Sequence, residues 1–251
     1  LEKSYEDFNF DIIVTHVVQP DMDLKGIDKK CRWLNFTHGS PTNSNLSDVY
    51  INMIDVNLLF SEWQKTRLKD NSKSVVIPFP IDTTIFYPRN KNPKNDFVWH
   101  GRIAPEKRII DFALRFEKEV DSNLTVIGGP DNAQWMEDII NSYLERTQFV
   151  GRKFDEVLAE SLAAHKNYVL MSEYETYCVA LLEALAVGCS VYVIYHPSLE
   201  WAREGVCFVN DMDELFEIIK NPVAVNNFEW VVDNFSWAVL KDKYVALFNQ
   251  P

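Results

Sequence analysis

Basic side chains are in short supply in this sequence: 25 Lys and Arg stand against 37 Asp and Glu, a formal net charge of −12. A general nucleic-acid binder needs a basic stripe to displace counterions from phosphates, so nucleic-acid partners are not expected. The acidic balance favours solubility and names no partner. Cysteine is sparse too. Cys31, Cys178, Cys189 and Cys207 lack metal-ligand spacing and sit mainly in apolar contexts, as reduced buried thiols of a cytosolic protein do. The longest apolar run, residues 178–195, is interrupted by Glu183 and broken at Gly188-Cys-Ser190, which predicts a buried helix followed by a buried strand rather than a membrane span. Leu1-Glu-Lys-Ser carries no signal-type opening, so the Asn-x-Ser/Thr sequons at Asn35, Asn45, Asn123 and Asn234 are taken as chance. There is no internal repeat and no low-complexity segment. A cytoplasmic location is expected, with peripheral membrane contact left open.

With 47% hydrophobic and 13% aromatic residues, 251 residues suffice for one large or two small cores. Three runs in the first 90 residues, 10–17, 31–39 and 56–63, predict successive strands, with helical stretches near 45–54 and 62–69. Asn90-Lys-Asn-Pro-Lys-Asn95 is a polar, Pro-bearing connection and a candidate hinge. Further strands are expected to start near 97, 123, 147, 167, 190 and 206. The stretches DFALRFEKEV, QWMEDIINSYLERT, DEVLAESLAAHK and MDELFEIIK between them carry apolar residues at helical spacing. Strand and helix in alternation mean an α/β fold with a parallel sheet and right-handed crossovers. The tail FSWAVLKDKYVALF is amphipathic.

One segment, NYVLMSEYETYCVALLEALAVGCSVYVIY at 167–195, predicts strand, polar loop, helix, turn and second strand. In an open α/β sheet the loop after such a strand and the following helix N-terminus form the ligand-binding end, and they favour an anionic group such as phosphate. Glu175 falls on the loop and Glu183, seven residues on, inside the helix among apolar neighbours. A carboxylate in that company is costly unless it is paired or used. Two such carboxylates suit a ligand that offers hydroxyls as well as phosphate, as a sugar nucleotide does.

These residues resemble the E-x7-E segment of retaining glycosyltransferases of the GT-B fold, most closely glycosyltransferase family 4. Four more segments are similar in the right order: SVVIPFPIDTTIFYP (74–88), VWHGRIAPEKR (98–108), LTVIGGP (124–130) and FVGR (149–152). The resemblance covers residues 10 to 249. It implies two Rossmann-like domains facing a cleft: a short or truncated acceptor domain at 1–90, a donor domain at 91–233, and a helix at 234–251 crossing back to the first. Two glycines of the family pattern are missing. Cys178 stands where the family has one, and Pro78-Phe-Pro-Ile-Asp82 replaces a Pro-Asn-Gly-Val-Asp turn, with Asp82 taken as a turn residue.

By the same resemblance Arg102 and Lys107 neutralise the leaving diphosphate beside Gly101. From the residues alone, they also fit a salt-bridged surface pair. Glu183 receives the ribose diol, and Glu175 holds a hydroxyl of the transferred sugar. Backbone N–H groups of Tyr177, Cys178 and Val179 meet a phosphate, and the base lies near Arg152 and Lys153. His38 faces the donor sugar, and His16, one strand over, lines the acceptor side. The implied activity is a retaining, hexosyltransferase-like transfer from a nucleotide-diphosphate sugar to a glycan, lipid or protein hydroxyl, without metal or other cofactor. The alternative is a non-catalytic subunit of the same fold that binds a sugar nucleotide or glycan. Two Asp-x-Asp triplets, Asp21-Met-Asp23 and Asp211-Met-Asp213, suit metal-dependent transferases, but they are expected to be local structure, with Asp211 an N-cap.

Overall fold

Runs rich in β-branched and aromatic residues build two parallel sheets in this chain. The computed structural model describes residues 11–16, 31–38, 53–130, 144–224 and 227–249. They fall into two compact units, Leu1–Phe79 with Leu240–Pro251, and Pro80–Val239.

The first unit holds a four-stranded parallel sheet in the order β1-β2-β3-β4, from Ile12–His16, Arg32–Phe36, Val56–Leu59 and Ser74–Val76. Trp33, Leu34, Leu58 and Leu59 are buried. Register between β2 and β3 is pinned by polar side chains. Asn35 and Asn57 are opposed across the ladder, and Asn35 Nδ2 donates to Asn57 Oδ1 at 2.8 Å. Burial of Asn35 leaves no room for a glycan on that sequon. Helix α1 (Glu62–Thr66) starts at a capping box formed by Ser61 and Gln64. It stops short of the expected residue 69 because Asp70 turns the chain, its carboxylate accepting from the Ser72 N–H at 2.9 Å. The short edge strand β4 falls in a segment where no strand was expected. Residues 45–52 of the expected helix at 45–54 lie outside the described residues.

The second unit carries a six-stranded parallel sheet in the order β10-β9-β8-β5-β6-β7. Its strands are β5 (Lys94–Ile103), β6 (Leu124–Pro130), β7 (Thr147–Phe149), β8 (His165–Leu170), β9 (Ser190–Ile194) and β10 (Cys207–Val209), all near the expected starts. The helices are α2 (Ile109–Glu119), α3 (Asp155–Ala163), α4 (Val179–Ala186), α5 (Met212–Ile219) and α6 (Phe228–Phe235). On α2 the buried residues Ile109, Phe112, Ala113 and Phe116 recur at helical spacing and meet Phe97, Trp99, Tyr192 and Phe216 in the core. Each buried phenylalanine contributes roughly 2–3 kcal/mol.

Two expectations need correction here. Lys94 and Asn95 already belong to β5, so the polar stretch at 90–95 is no free hinge. Residues 80–89 group with the second unit because the Ile81 N–H donates to the Phe235 carbonyl at 2.8 Å and Arg89 pairs with Glu160. Of the helix expected at 134–147, residues 134–143 lie outside the described residues, and 144–146 are not helical. Asp211 caps α5, its carboxylate accepting from the Glu214 N–H at 2.9 Å, whereas the Asp21 triplet lies outside the described residues. The last helix, α7 (Trp237–Asn249), groups with the first unit from Leu240 onward. There it buries Leu240, Tyr244 and Leu247, and the Tyr244 hydroxyl donates to the Pro78 carbonyl at 3.0 Å. No helix among the described residues is long and apolar enough to cross a membrane.

Candidate functional site

Strand order locates the site in the second unit. From β5 the chain runs to β6 and β7 on one side, then returns to β8 on the other. The two connections diverge at the carboxyl ends of β5 and β8, where open α/β sheets bind ligands. A cavity of about 520 Å³ opens at this edge. Its walls include five of the residues expected at a donor site, namely Gly101, Arg102, Arg152, Lys153 and Glu183. His100, Gly128, Phe154 and Ala180 complete much of the lining.

Two glycines shape this wall. A Cβ on Gly128 would stand 2.1 Å from the Gly101 carbonyl oxygen, and one on Gly129 would stand 2.7 Å from Arg152 Nε. No side chain fits at Gly128, where the close atom is backbone, and one at Gly129 would displace Arg152, whose guanidinium lies against the end of β6. Lys153 is tethered, its Nζ donating to Ser161 Oγ at 2.8 Å. Phe154 stands at the N-cap position of α3 without capping it and is 69% exposed beside the cavity.

The buried-carboxylate question raised by Glu183 is answered by pairing. His100 Nε2 and Glu183 Oε2 are 2.7 Å apart, with the imidazole 6% and the carboxylate 19% exposed. His100 Nδ1 is buried and has no hydrogen-bond partner among the described residues. The Tyr168 hydroxyl, its pKa raised by burial and hence a neutral donor, donates to the His100 carbonyl at 3.3 Å. Sequence reasoning missed His100. The available signal was a polar residue closing the apolar run Phe97-Val-Trp99, together with the partner that Glu183 required.

A second pair lies on the neighbouring loops. Lys107 ends a 3-10 turn at Pro105–Lys107, and its Nζ donates to Glu175 Oε1 at 2.7 Å, both side chains being mostly buried. The loops are also joined by the Glu173 N–H donating to the Glu106 carbonyl at 2.8 Å. Arg102 is more open, 54% exposed, and donates to Glu106 at 2.5 Å. Lys107 and Glu175 therefore hold each other, whereas the exposed Arg102 lines the cavity and pairs with a half-buried glutamate.

The loop after β8 enters α4 through Cys178 in the left-handed region, φ 66°. The backbone here has the conformation a glycine would adopt, although Cys carries a Cβ penalty of about 1 kcal/mol there. Its thiol is pushed well above its ordinary pKa by burial, with the Glu175 carboxylate adding to the effect. Tyr177 turns its ring away to stack on Trp201 at 4.5 Å, and its carbonyl accepts from the Trp201 indole at 2.9 Å. At the start of α4, which follows Tyr177 and Cys178, the first N–H groups lack partners within the helix.

The first unit brings His16 and His38 together. His16 ends β1 and His38 follows β2, with His16 Nδ1 and His38 Nε2 2.8 Å apart and the rings stacked at 5.1 Å. His38 is held below its ordinary pKa by burial and by His16. Such a pair shares one proton between two nitrogens. No cluster of three or more metal-ligating side chains occurs among the described residues.

The fold is that of the GT-B glycosyltransferases. Residues 94–221, just over half of the 251-residue chain, match the family of glycosyl transferases group 1, and the chain belongs to it. No curated protein matches at a significant level. Among solved structures, sucrose-phosphate synthase from Thermosynechococcus elongatus aligns with a TM-score of 0.78 at 20% identity, over 99% of this chain and 76% of that one. AviGT4, a glycosyltransferase involved in avilamycin A biosynthesis, gives 0.72 at 17%, over 98% and 76%. Anabaena HepE, crystallised with UDP and glucose, gives 0.70 at 15%, over 88% and 72%.

Proposed function

We propose that this chain transfers a sugar from a nucleoside-diphosphate sugar to a hydroxyl acceptor, in the manner of glycosyltransferase family 4, with retention of anomeric configuration and without metal. The observation that carries the reading is Glu183 beside Arg102, Arg152 and Lys153 around one cavity at the switch point of the second sheet. A carboxylate suits a ribose diol, and cations suit a diphosphate whose charge grows as it leaves. HepE, a structure of the same fold, holds UDP and glucose.

In this reading Glu183 accepts the ribose hydroxyls, and the base lies against the wall around Arg152 and Lys153. The backbone N–H groups at the start of α4 receive a phosphate. Arg102 stabilises the departing diphosphate directly. Lys107 contributes through its pair with Glu175, which leaves Glu175 its second oxygen for a hydroxyl of the sugar. His38 and His16 act on the sugar and acceptor side. With no carboxylate expected beneath the anomeric carbon, we favour same-face attack in which the leaving phosphate helps to deprotonate the acceptor hydroxyl.

A screen against UDP-, GDP-, ADP- and TDP-sugars tests this reading. One donor should raise the melting temperature, since a ligand bound only to the native state stabilises it by RT ln(1+[L]/Kd). That donor should then be turned over with retained configuration and unchanged rate in EDTA. Binding without turnover on any acceptor would mark a non-catalytic binding subunit. The absence of binding would overturn the donor site.

A further inference from the structure

The His100–Glu183 pair has a specific consequence for how the donor is recognised, and the inference rests on the donor-site reading above. His100 lies 83 positions before Glu183, yet the ends of β5 and α4 bring Nε2 and Oε2 to 2.7 Å. The imidazole is nine-tenths buried, and its other nitrogen, Nδ1, has no hydrogen-bond partner among the described residues. A proton on Nδ1 would be buried without an acceptor, whereas a proton on Nε2 faces a carboxylate. The Nε2–H is therefore the donor aimed at Glu183.

Both members of the pair line the same cavity. Glu183 sits on α4 with Leu182 and Ala184 buried beside it, so no neighbour in sequence can hold its carboxylate. A glutamate side chain has three rotatable bonds. Without a fixed donor, its carboxylate loses the single orientation needed to receive a vicinal diol. The imidazole Nε2–H, held in a buried ring, fixes that orientation.

We infer that His100 is a positioning residue that sets ribose recognition: by fixing the Glu183 carboxylate it makes the site discriminate a ribonucleotide from its 2′-deoxy counterpart. The role differs from simple support of the fold, because it concerns one hydroxyl of the ligand.

Calorimetric titration with UDP, GDP and ADP identifies the diphosphate that binds the wild type, and its 2′-deoxy form is then titrated in parallel. Wild type should prefer the ribonucleotide by about tenfold or more, as loss of one hydrogen bond to a charged group implies. His100→Gln, whose amide nitrogen reaches the place of Nε2, should keep that preference within about threefold. His100→Met and His100→Leu, which carry no donor, should bind both forms at the wild type's deoxy level. Melting curves identify any variant that is unfolded, and either donor-free variant suffices. If folded donor-free variants keep the full preference, the inference fails while the donor site stands. If wild type itself shows no preference, the inference fails together with the ribose role of Glu183. If wild type binds none of the three diphosphates but binds TDP, which lacks the 2′-hydroxyl, the inference fails while the donor site stands; if it binds none of the four, the donor site fails as well.

Discussion

The two parallel sheets of this protein end in different chemistry. At the carboxyl ends of β1 and β2, two histidines meet each other. At the carboxyl ends of β5 and β8, histidine and lysine each meet a glutamate, in pairs that are largely buried. Two imidazoles in contact can pass a proton from one ring to the other. A buried acid–base pair resists change, because removing either member strands a charge or a dipole in a poor solvent. The first arrangement suits proton handling, the second suits fixed orientation of a bound group.

The largest effect should come from the buried pair on the second sheet. Lys107→Met leaves the Glu175 carboxylate uncompensated at 8% exposure and should lower stability by about 3 kcal/mol in urea unfolding. Adding Glu175→Gln should restore most of the loss. If the single change is neutral, the pair is not the fixed element described here.

Next comes Arg102, which is exposed and whose ion pair with the half-buried Glu106 contributes little to stability. Arg102→Ala should leave the unfolding midpoint nearly unchanged and lower kcat by about 100-fold, with KM rising less. Full turnover in that variant would reduce Arg102 to a surface cation.

A smaller effect concerns pH. His38, His165 and His196 are all held below their ordinary value near 6.5, in each case chiefly by burial. The folded protein therefore binds fewer protons than the unfolded chain as pH falls through about 6.5, so stability should decline on acidification and be regained on return to neutral pH. His38→Asn should make that slope shallower. His38→Ala should also slow transfer and leave nucleotide affinity intact. An unchanged slope together with unchanged transfer would remove His38 from the account.

The smallest effect is expected at Cys178. Glycine there relieves about 1 kcal/mol of left-handed strain. It also gives the unfolded chain more freedom, which costs about 0.5–1 kcal/mol. Cys178→Gly should therefore change stability by less than about 1 kcal/mol, and a large loss would show that the thiol contact with Glu175 matters more than the backbone.

Much of this arrangement was legible in the sequence where the signal is local. All six strands of the second unit follow from apolar runs between turn residues, although β5 and β8 begin in polar residues just ahead of theirs, and Glu175 and Glu183 fall on loop and helix as their surroundings predict. The left-handed backbone at Cys178 could be anticipated from the glycine that the family pattern has there. What could not be read depends on distant partners. His100 meets Glu183 across 83 positions and Lys107 meets Glu175 across 68, so local context leaves each looking like an ordinary polar residue. Strand β4 is three residues long and exists because β3 offers it an edge. The boundary near residue 80, rather than 90, is set by the bond from Ile81 to Phe235, which no local pattern announces.

The central claim is that the cavity around Glu183 holds the donor nucleotide, and calorimetry on Glu183→Ala tests it most directly. Removing one partner from a buried charged hydrogen bond costs about 2–5 kcal/mol of binding. With the fold confirmed by its melting curve, the variant should bind the nucleoside diphosphate roughly 30-fold or more weakly than wild type. Equal affinity in the two proteins would contradict the account.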